Sequence, residues 1–402
     1  MTVKDNKILL KGAQLYVNGK FEANGYVKVE GDKIVDLGIW DESFHDNRYQ
    51  VFELMSNDKI IPGFIDIHIH GAADADTMDA TVEALETIAN VLPSEGTTSF
   101  LATTITSSNE HIEKALVNVK DFIEGTQPEG QAEIVGIHLE GPFINPVRAG
   151  AQPLAHIRPH DRHQLKEWLS LAGGHIKQVT LAPEQTDGLP VVELLTRHGV
   201  ITSIGHSDAT FEVVRAAVEV GATCVTHLFN QMRGLHHREP GTVGAAFLFD
   251  EMRAEIIVDG IHVRPEMVQF TFKQKGKEGL ILITDAMRAK YLGDGVYDLG
   301  GQQVTVTGET AMLEDGALAG SVLKMVNAVK NMMTYTGCSL ADAIMMASEN
   351  PARQVNVFDR KGSLAIGKDA DIVILNESNQ VVMTFCRGLL AYTAKGECHE
   401  NH

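Results

Sequence analysis

The segment IIPGFIDIHIHG, residues 60–71, sets His68 and His70 two positions apart at the end of an apolar run. In a strand such residues point the same way, so Asp66, His68 and His70 share one face while Ile65, Ile67 and Ile69 share the other. A single histidine there would read as a hydrogen-bonded core residue; two on one face can grip a common ion. Comparable residues close other β-type runs. Glu140 ends EIVGIHLE, His206 ends VITSIGH and His227 ends ATCVTH. Asp259 and His262 end EIIVDGIH, and Asp285 stands at the end of LILITDA. Imidazole and carboxylate are the donors that suit zinc, iron and similar divalent ions. Asp285 stands apart as a candidate proton-transfer base. His138, His175 and His198 read as structural histidines.

For these ends to meet, the runs must be parallel strands of one sheet. Strand candidates lie at 60–67, 97–104, 133–140, 177–184, 200–206, 222–227, 255–262 and 280–286, with helix-like segments such as ATVEALETIANVL and NEHIEKALVNVKDFI between them. Alternating β and α units of this count predict a (β/α)8 TIM-type barrel, whose strands present their C-terminal ends on one face. No glycine-rich phosphate fingerprint follows the first strand, which argues against a doubly wound open sheet. Residues 1–58 carry hairpin punctuation (Asn18-Gly19, Asn24-Gly25, Gly31-Asp32) between β-type runs, and the tail has the same texture. Neither end could bury a core alone, so both are expected to pair into one small β-sandwich domain: 1–58 plus 359–402, around a barrel at 59–358.

With 402 residues, 44% of them hydrophobic, the chain has the composition of a soluble globular protein. Its net charge of −19 argues against nucleic acid or an anionic membrane as partner, and obliges any anionic ligand to meet a local basic patch. MRGLHHREPG supplies one, with Arg233, His236, His237 and Arg238. Cys224, Cys338, Cys386 and Cys398 form no CxxC pair, which suits free thiols in a reducing cytoplasm. The N-terminal MTVKDNKILLKG lacks the features of a signal peptide, and no apolar run is long enough to span a membrane.

PGFIDIHIHG resembles the first-strand signature of the amidohydrolase superfamily, and GSLAIGKDADIVIL after ENPAR resembles its closing segment. More narrowly, GIHLEGPFINPVRAGAQ, IGHSDAT, THLFNQMRGLHHREPG, VDGIHV and LITDAM are similar to the N-acetylglucosamine-6-phosphate deacetylase family. That resemblance implies a metal-dependent hydrolase that removes acetyl from a phosphorylated N-acetyl amino sugar. The galacto epimer is the neighbouring alternative, and a catalytically silent scaffold the remote one. It implies one or two divalent ions per subunit, zinc or iron. Glu140, His206 and His227 would hold the main ion, and His68 and His70 a second, with Glu140 as bridge. Some members lack the histidine pair and keep one metal. Asp285 would shuttle the proton. The residue matching Arg238 contacts the phosphate, and that matching His262 the substrate. Asn230, Gln231 and the backbone at Ala151, Leu318, Ala319 and Gly320 match further substrate contacts. Members form homodimers and reach the phosphate from the neighbouring subunit. The strand-four lysine that bridges metals in other amidohydrolases is missing, since Lys177 lies at the wrong end of its strand. Where some relatives carry a histidine after GPF, this chain has Gln152.

Overall fold

The computed structural model describes residues 6–41, 48–125 and 127–394. The first five residues and Cys398, on which the readings of the N-terminus and of a fourth thiol partly rest, lie outside the described residues.

Eight parallel strands form the centre: β1 Phe64–Ile69, β2 Thr97–Thr104, β3 Glu133–Glu140, β4 Ile176–Leu181, β5 Ile201–Ile204, β6 Ala222–Val225, β7 Arg253–Ile257 and β8 Leu280–Ile283. Each is hydrogen-bonded to the next in sequence, and a helix follows each one. Every residue of β1, β2 and β3 is buried, as a parallel sheet covered on both sides requires. The helix Asn109–Glu124 shows how the cover is made. Ser108 caps it by accepting from the His111 N–H, and Ile112, Ala115, Leu116 and Val119 form one buried stripe at helical spacing.

Closure occurs between β8 and β1. The Asp285 N–H donates to the His68 carbonyl at 2.8 Å, and the His70 N–H to the Ala286 carbonyl at 2.9 Å. Asp66, the third residue on the histidine face, accepts from the Thr284 hydroxyl at 2.5 Å. The barrel predicted from the alternation of elements is present. Gly71 is required by a close approach, because a Cβ there would lie 2.2 Å from the Ala75 carbonyl oxygen.

Both termini contribute to a separate β-rich domain. The strands Lys7–Val17, Lys20–Glu30, Lys33–Ile39, Gln50–Glu53 and Lys59–Pro62 join Ile372–Leu375, Val381–Cys386 and Leu389–Thr393 in one eight-stranded sheet. Asn18 and Gly19 both take positive φ (50° and 77°), the two-residue turn that suits a twisted hairpin. The sheet closes over its own core, so that Phe52 meets Phe385 edge to face at 5.6 Å.

One strand differs from the sequence pattern. Residues 60–67 read as a single barrel strand, but the structure divides the run at Gly63. Lys59–Pro62 pairs with Ile372–Leu375 in the terminal sheet, and β1 starts at Phe64 and so reaches the histidines. Gly63 has no room for a side chain: a Cβ would lie 2.0 Å from the Thr98 hydroxyl. The three-stranded sheet Gly295–Leu299, Gln302–Thr307 and Thr310–Met312, inserted between β8 and the helix Met325–Thr336, was not anticipated. Among the described residues no helix is long and apolar enough to cross a membrane.

Candidate active site

At the C-terminal face of the barrel, residues far apart in sequence converge. Glu140 Oε1 lies 3.3 Å from His206 Nε2, 3.3 Å from His227 Nε2 and 3.4 Å from His68 Nε2. Its other oxygen lies 3.3 Å from His70 Nε2. Asp285 Oδ1 faces both members of the β1 pair, at 3.4 Å from His68 Nε2 and 3.3 Å from His70 Nε2. Two donor sets result, Glu140–His206–His227 and His68–His70–Asp285, with Glu140 touching both.

These sets suit divalent cations. Metal–nitrogen bonds of about 2.0–2.1 Å in a tetrahedron place neighbouring donor atoms roughly 3.3 Å apart. The observed separations match, including 3.1 Å between the Nε2 atoms of His206 and His227. Two of the four outward nitrogens are committed elsewhere: His206 Nδ1 meets the Arg148 carbonyl at 2.8 Å, and His68 Nδ1 meets Glu255 Oε2 at 3.1 Å. Those contacts turn the Nε2 lone pairs inward. His68 Nε2 is buried without a hydrogen-bond partner, as a nitrogen reserved for a cation would be.

Electrostatics point the same way. Burial opposes ionisation of Asp285, but His68 and His70 outweigh it and draw its carboxyl down to about 2. Burial likewise opposes the charge on Glu140, and the surrounding imidazoles hold it well below the carboxylate range. His70 is pushed up to about 9, because its contacts with Asp285 and Glu140 overcome desolvation. The pocket favours ionised carboxylates with positive charge among the imidazoles.

Three of these residues sit just beyond strand ends with left-handed backbones: His206 (φ 47°), His227 (φ 32°) and Asp285 (φ 50°). Such conformations cost non-glycine residues about 1–3 kcal/mol each and persist where the surroundings over-determine them. At Asp285 the hydrogen bonds from its own N–H to His68 and from the Ser321 N–H to its carbonyl do this.

The pocket above the donors encloses about 150 Å³. It is lined by His70, Glu140, His206, His227 and Asp285, and by Ala151, Gln152, Asn230, Gln231, His262, Leu318 and Gly320. Ile105 and Leu299, the latter from the inserted sheet, complete the wall. His68 lies beneath it, fully buried. Asp259 accepts from His262 Nδ1 at 2.6 Å, fixing the imidazole that faces the pocket. Gln152 donates to Glu140 Oε2 at 2.7 Å.

Two expected residues stand apart. Ala319 is buried behind the wall, its N–H spent on the Ala311 carbonyl. Arg238 is exposed, contacts His237 at 2.8 Å and does not line this pocket. Arg233 is also occupied elsewhere, at 2.5 Å from Asp208, which Arg148 grips from the other side. No lysine or arginine lines the pocket among the described residues.

At the end of β4, Thr180 Oγ1 contacts His138 Nε2 at 2.7 Å, in the region where a bridging lysine would have to stand. His138 packs edge-on against His68, ring centroids 4.5 Å apart, so this structural histidine belongs to the floor of the site. Sequence reasoning missed Glu255 beside it. Its only signal is a carboxylate inside an apolar run.

The pattern of the amidohydrolase family matches residues 60–391. The chain belongs to the amidohydrolase family. It is 46% identical over 390 residues to the N-acetylglucosamine-6-phosphate deacetylase of Bacillus subtilis, covering 96% of this chain and 98% of that one. Against the same-named protein of Lysinibacillus sphaericus it is 50% identical over 318 residues, 79% and 81% of the two chains. A solved structure of the Mycobacterium smegmatis N-acetyl-D-glucosamine-6-phosphate deacetylase, a variant in complex with N-acetyl-D-glucosamine-6-phosphate, superposes with a TM-score of 0.90 at 29% identity. That match covers 96% of this chain and 100% of the other. The two donor sets, with Glu140 touching both, fit the divalent metal that amidohydrolases typically use.

Proposed function

We propose that this chain hydrolyses the N-acetyl group of N-acetylglucosamine 6-phosphate, giving glucosamine 6-phosphate and acetate for amino-sugar catabolism or recycling. The observation that carries the reading is Asp285, held 3.3–3.4 Å from both β1 histidines beside the Glu140 donor set. The likeness to the deacetylases of Bacillus and Lysinibacillus supplies the substrate class.

Glu140, His206 and His227 would hold the main divalent ion, zinc or iron, and His68 and His70 a second, since Glu140 reaches both sets. Divalent ions held there lower the pKa of water towards about 7 and polarise an acetyl carbonyl. Asp285 takes a proton from the attacking water and delivers it to the sugar nitrogen, so that the amine leaves neutral. His262, pinned through Nδ1 by Asp259, presents its remaining nitrogen to the substrate. Asn230, Gln231 and the backbone at Ala151, Leu318 and Gly320 orient the sugar. Ala319 sets the course of that wall.

The phosphate needs a cation that one chain's pocket does not offer. The run Leu235 to Arg238 is exposed, and Leu235 leaves 56% of its surface open. We assign it to a homodimer in which Arg238 of one copy reaches the phosphate held by the other. A guanidinium grips phosphate in a fork that an ammonium does not reproduce. A phosphorylated substrate and the unpaired thiols of Cys224, Cys338 and Cys386 support a cytoplasmic setting.

The test is acetate release from the gluco and galacto forms of 6-phosphorylated N-acetylhexosamine, with metal content measured on the same sample. Turnover of the gluco form with metal bound is expected. Preference for the galacto form moves the assignment to the epimer, and release from neither overturns it.

A further inference from the structure

Beneath the site lies a carboxylate that the reaction scheme leaves unused. Glu255, on β7, is fully buried inside the barrel. One oxygen contacts His68 Nδ1 at 3.1 Å, and the other accepts from Gln178 Nε2 at 2.6 Å. The Cys224 thiol at 3.9 Å is its further polar neighbour. No lysine or arginine side chain contacts Glu255, Glu140 or Asp285 among the described residues. A buried carboxylate without compensation is strongly destabilising. Three of them around one histidine pair demand positive charge at that pair.

We propose that Glu255 is the positioning residue of the His68–His70 ion site: it fixes the His68 ring with its proton on Nδ1 and its lone pair towards the ion. This rests on the metal-hydrolase reading above. The geometry gives the reason. A neutral ring that donates through Nδ1 to Glu255 presents a bare Nε2, and that nitrogen faces Glu140 Oε1 and Asp285 Oδ1 at 3.4 Å each. Three acceptors turned towards one point repel one another unless a cation sits among them. Gln178 holds the carboxylate from behind, so Glu255 cannot rotate away without breaking a second hydrogen bond. His206 Nδ1 is tied instead to a neutral backbone carbonyl. The Glu140–His206–His227 set therefore does not depend on Glu255, and the two sites respond differently to its loss.

Glu255→Gln is the decisive change. A glutamine offers one acceptor where His68 and Gln178 require two, and it carries no charge. Metal per chain is measured by elemental analysis after equilibration in buffered free zinc, with cobalt-substituted protein read by its visible spectrum. The wild type is expected to hold two ions. Glu255→Gln is expected to hold one at the same free zinc, with the weaker site losing about 10–100-fold in affinity, and the cobalt spectrum reduced to the contribution of one site. Two ions of unchanged affinity in the variant overturn the proposal. Gln178→Met leaves Glu255 in place and removes only its rear anchor; it is expected to weaken the same site to a smaller degree. Should Glu255→Gln fail to fold, unchanged two-ion binding in Gln178→Met overturns the proposal instead. Ion binding is read without substrate, so wild-type protein that binds two ions but releases no acetate counts against the substrate assignment alone. Wild-type protein that binds none removes both.

Discussion

Gln152 Nε2 donates to Glu140 Oε2 across 2.7 Å, while Gln152 Oε1 accepts from the Thr106 N–H at 2.9 Å. The amide is thus locked in one orientation, and it locks the carboxylate that both donor sets share. A histidine at this position could carry charge or give up a proton, whereas glutamine can only hydrogen-bond and orient. Gln152→Leu keeps the bulk and removes the clamp. Retention of bound metal on dialysis is expected to fall by about 10–100-fold, with a matching fall in kcat. Unaltered retention and kcat would show that Glu140 needs no such support.

Asp285 carries a different expectation, because its carboxylate is assigned to proton transfer. Asp285→Asn preserves the shape and the backbone bonds that close the barrel. The ion of the Glu140 set is expected to stay, while acetate release drops by about a hundred- to ten-thousand-fold. Full turnover in the variant would assign the proton to another group.

Much of this site was legible in the sequence for a geometrical reason. Parallel strands that alternate with helices bring their C-terminal ends to one rim, so Glu140, His206, His227 and Asp285 could be read as neighbours from strand ends alone. Strands 97–104 and 133–140 fell where their apolar runs begin and end. Glu255 was not legible, because a carboxylate in an apolar run announces only that it needs a partner, and that partner, His68, lies 187 residues away. Arg238 was legible as part of a basic run, but which copy's pocket it serves was not: Arg233, from the same run, pairs with Asp208 beside Arg148, and composition does not encode which basic residue is left exposed. The inserted sheet carried a signal in its Val/Thr alternation and its Gly300-Gly301 turn, but it interrupts the β/α rhythm that organised everything around it.

The junction between the barrel and the terminal sheet is set by a buried ion cluster. Lys361 is 1% exposed and lies 2.7 Å from Glu133, 3.0 Å from Asp369 and 2.5 Å from Asp371. Burial opposes charge on Glu133 and Asp369, yet Lys361 and Arg360 draw both carboxyls down to about 2. A carboxyl depressed on folding adds stability above its unfolded pKa of about 4, and that stability disappears as pH falls through the folded value. Asp371, raised by burial, works in the opposite sense. With two depressed groups against one, the cluster's contribution to stability is expected to decline as pH falls from about 4.5 towards 2, so the Tm difference between wild type and Lys361→Met narrows over that range. Lys361→Met leaves Asp371 without a cation, while Arg360 still pairs with Glu133 and Asp369, and it is expected to cost about 3–5 kcal/mol at neutral pH by denaturant unfolding. A loss under about 1 kcal/mol would mean that water already reaches the cluster.

Arg238 gives the sharpest test of the assembly. If it serves the neighbouring copy, Arg238→Ala raises KM for the phosphorylated sugar on the order of tenfold to a hundredfold, the worth of a charged hydrogen bond, and leaves kcat nearly intact. Mixing this variant with Asp285→Asn separates the two arrangements. In a mixed dimer, the chain carrying the Arg238→Ala change keeps its own Asp285 and receives Arg238 from its partner, while the other site lacks Asp285. Random exchange in a symmetric dimer makes roughly one site in four fully competent. Low-substrate activity is therefore expected to rise well above the sum of the two variants measured alone. If Arg238 acts within its own chain, no mixed dimer contains a complete site and the activities merely add. The exposed loop and a pocket lined by no lysine or arginine among the described residues favour the first outcome, because a dianionic phosphate entering a chain of net charge −19 must find its cation on one copy or the other.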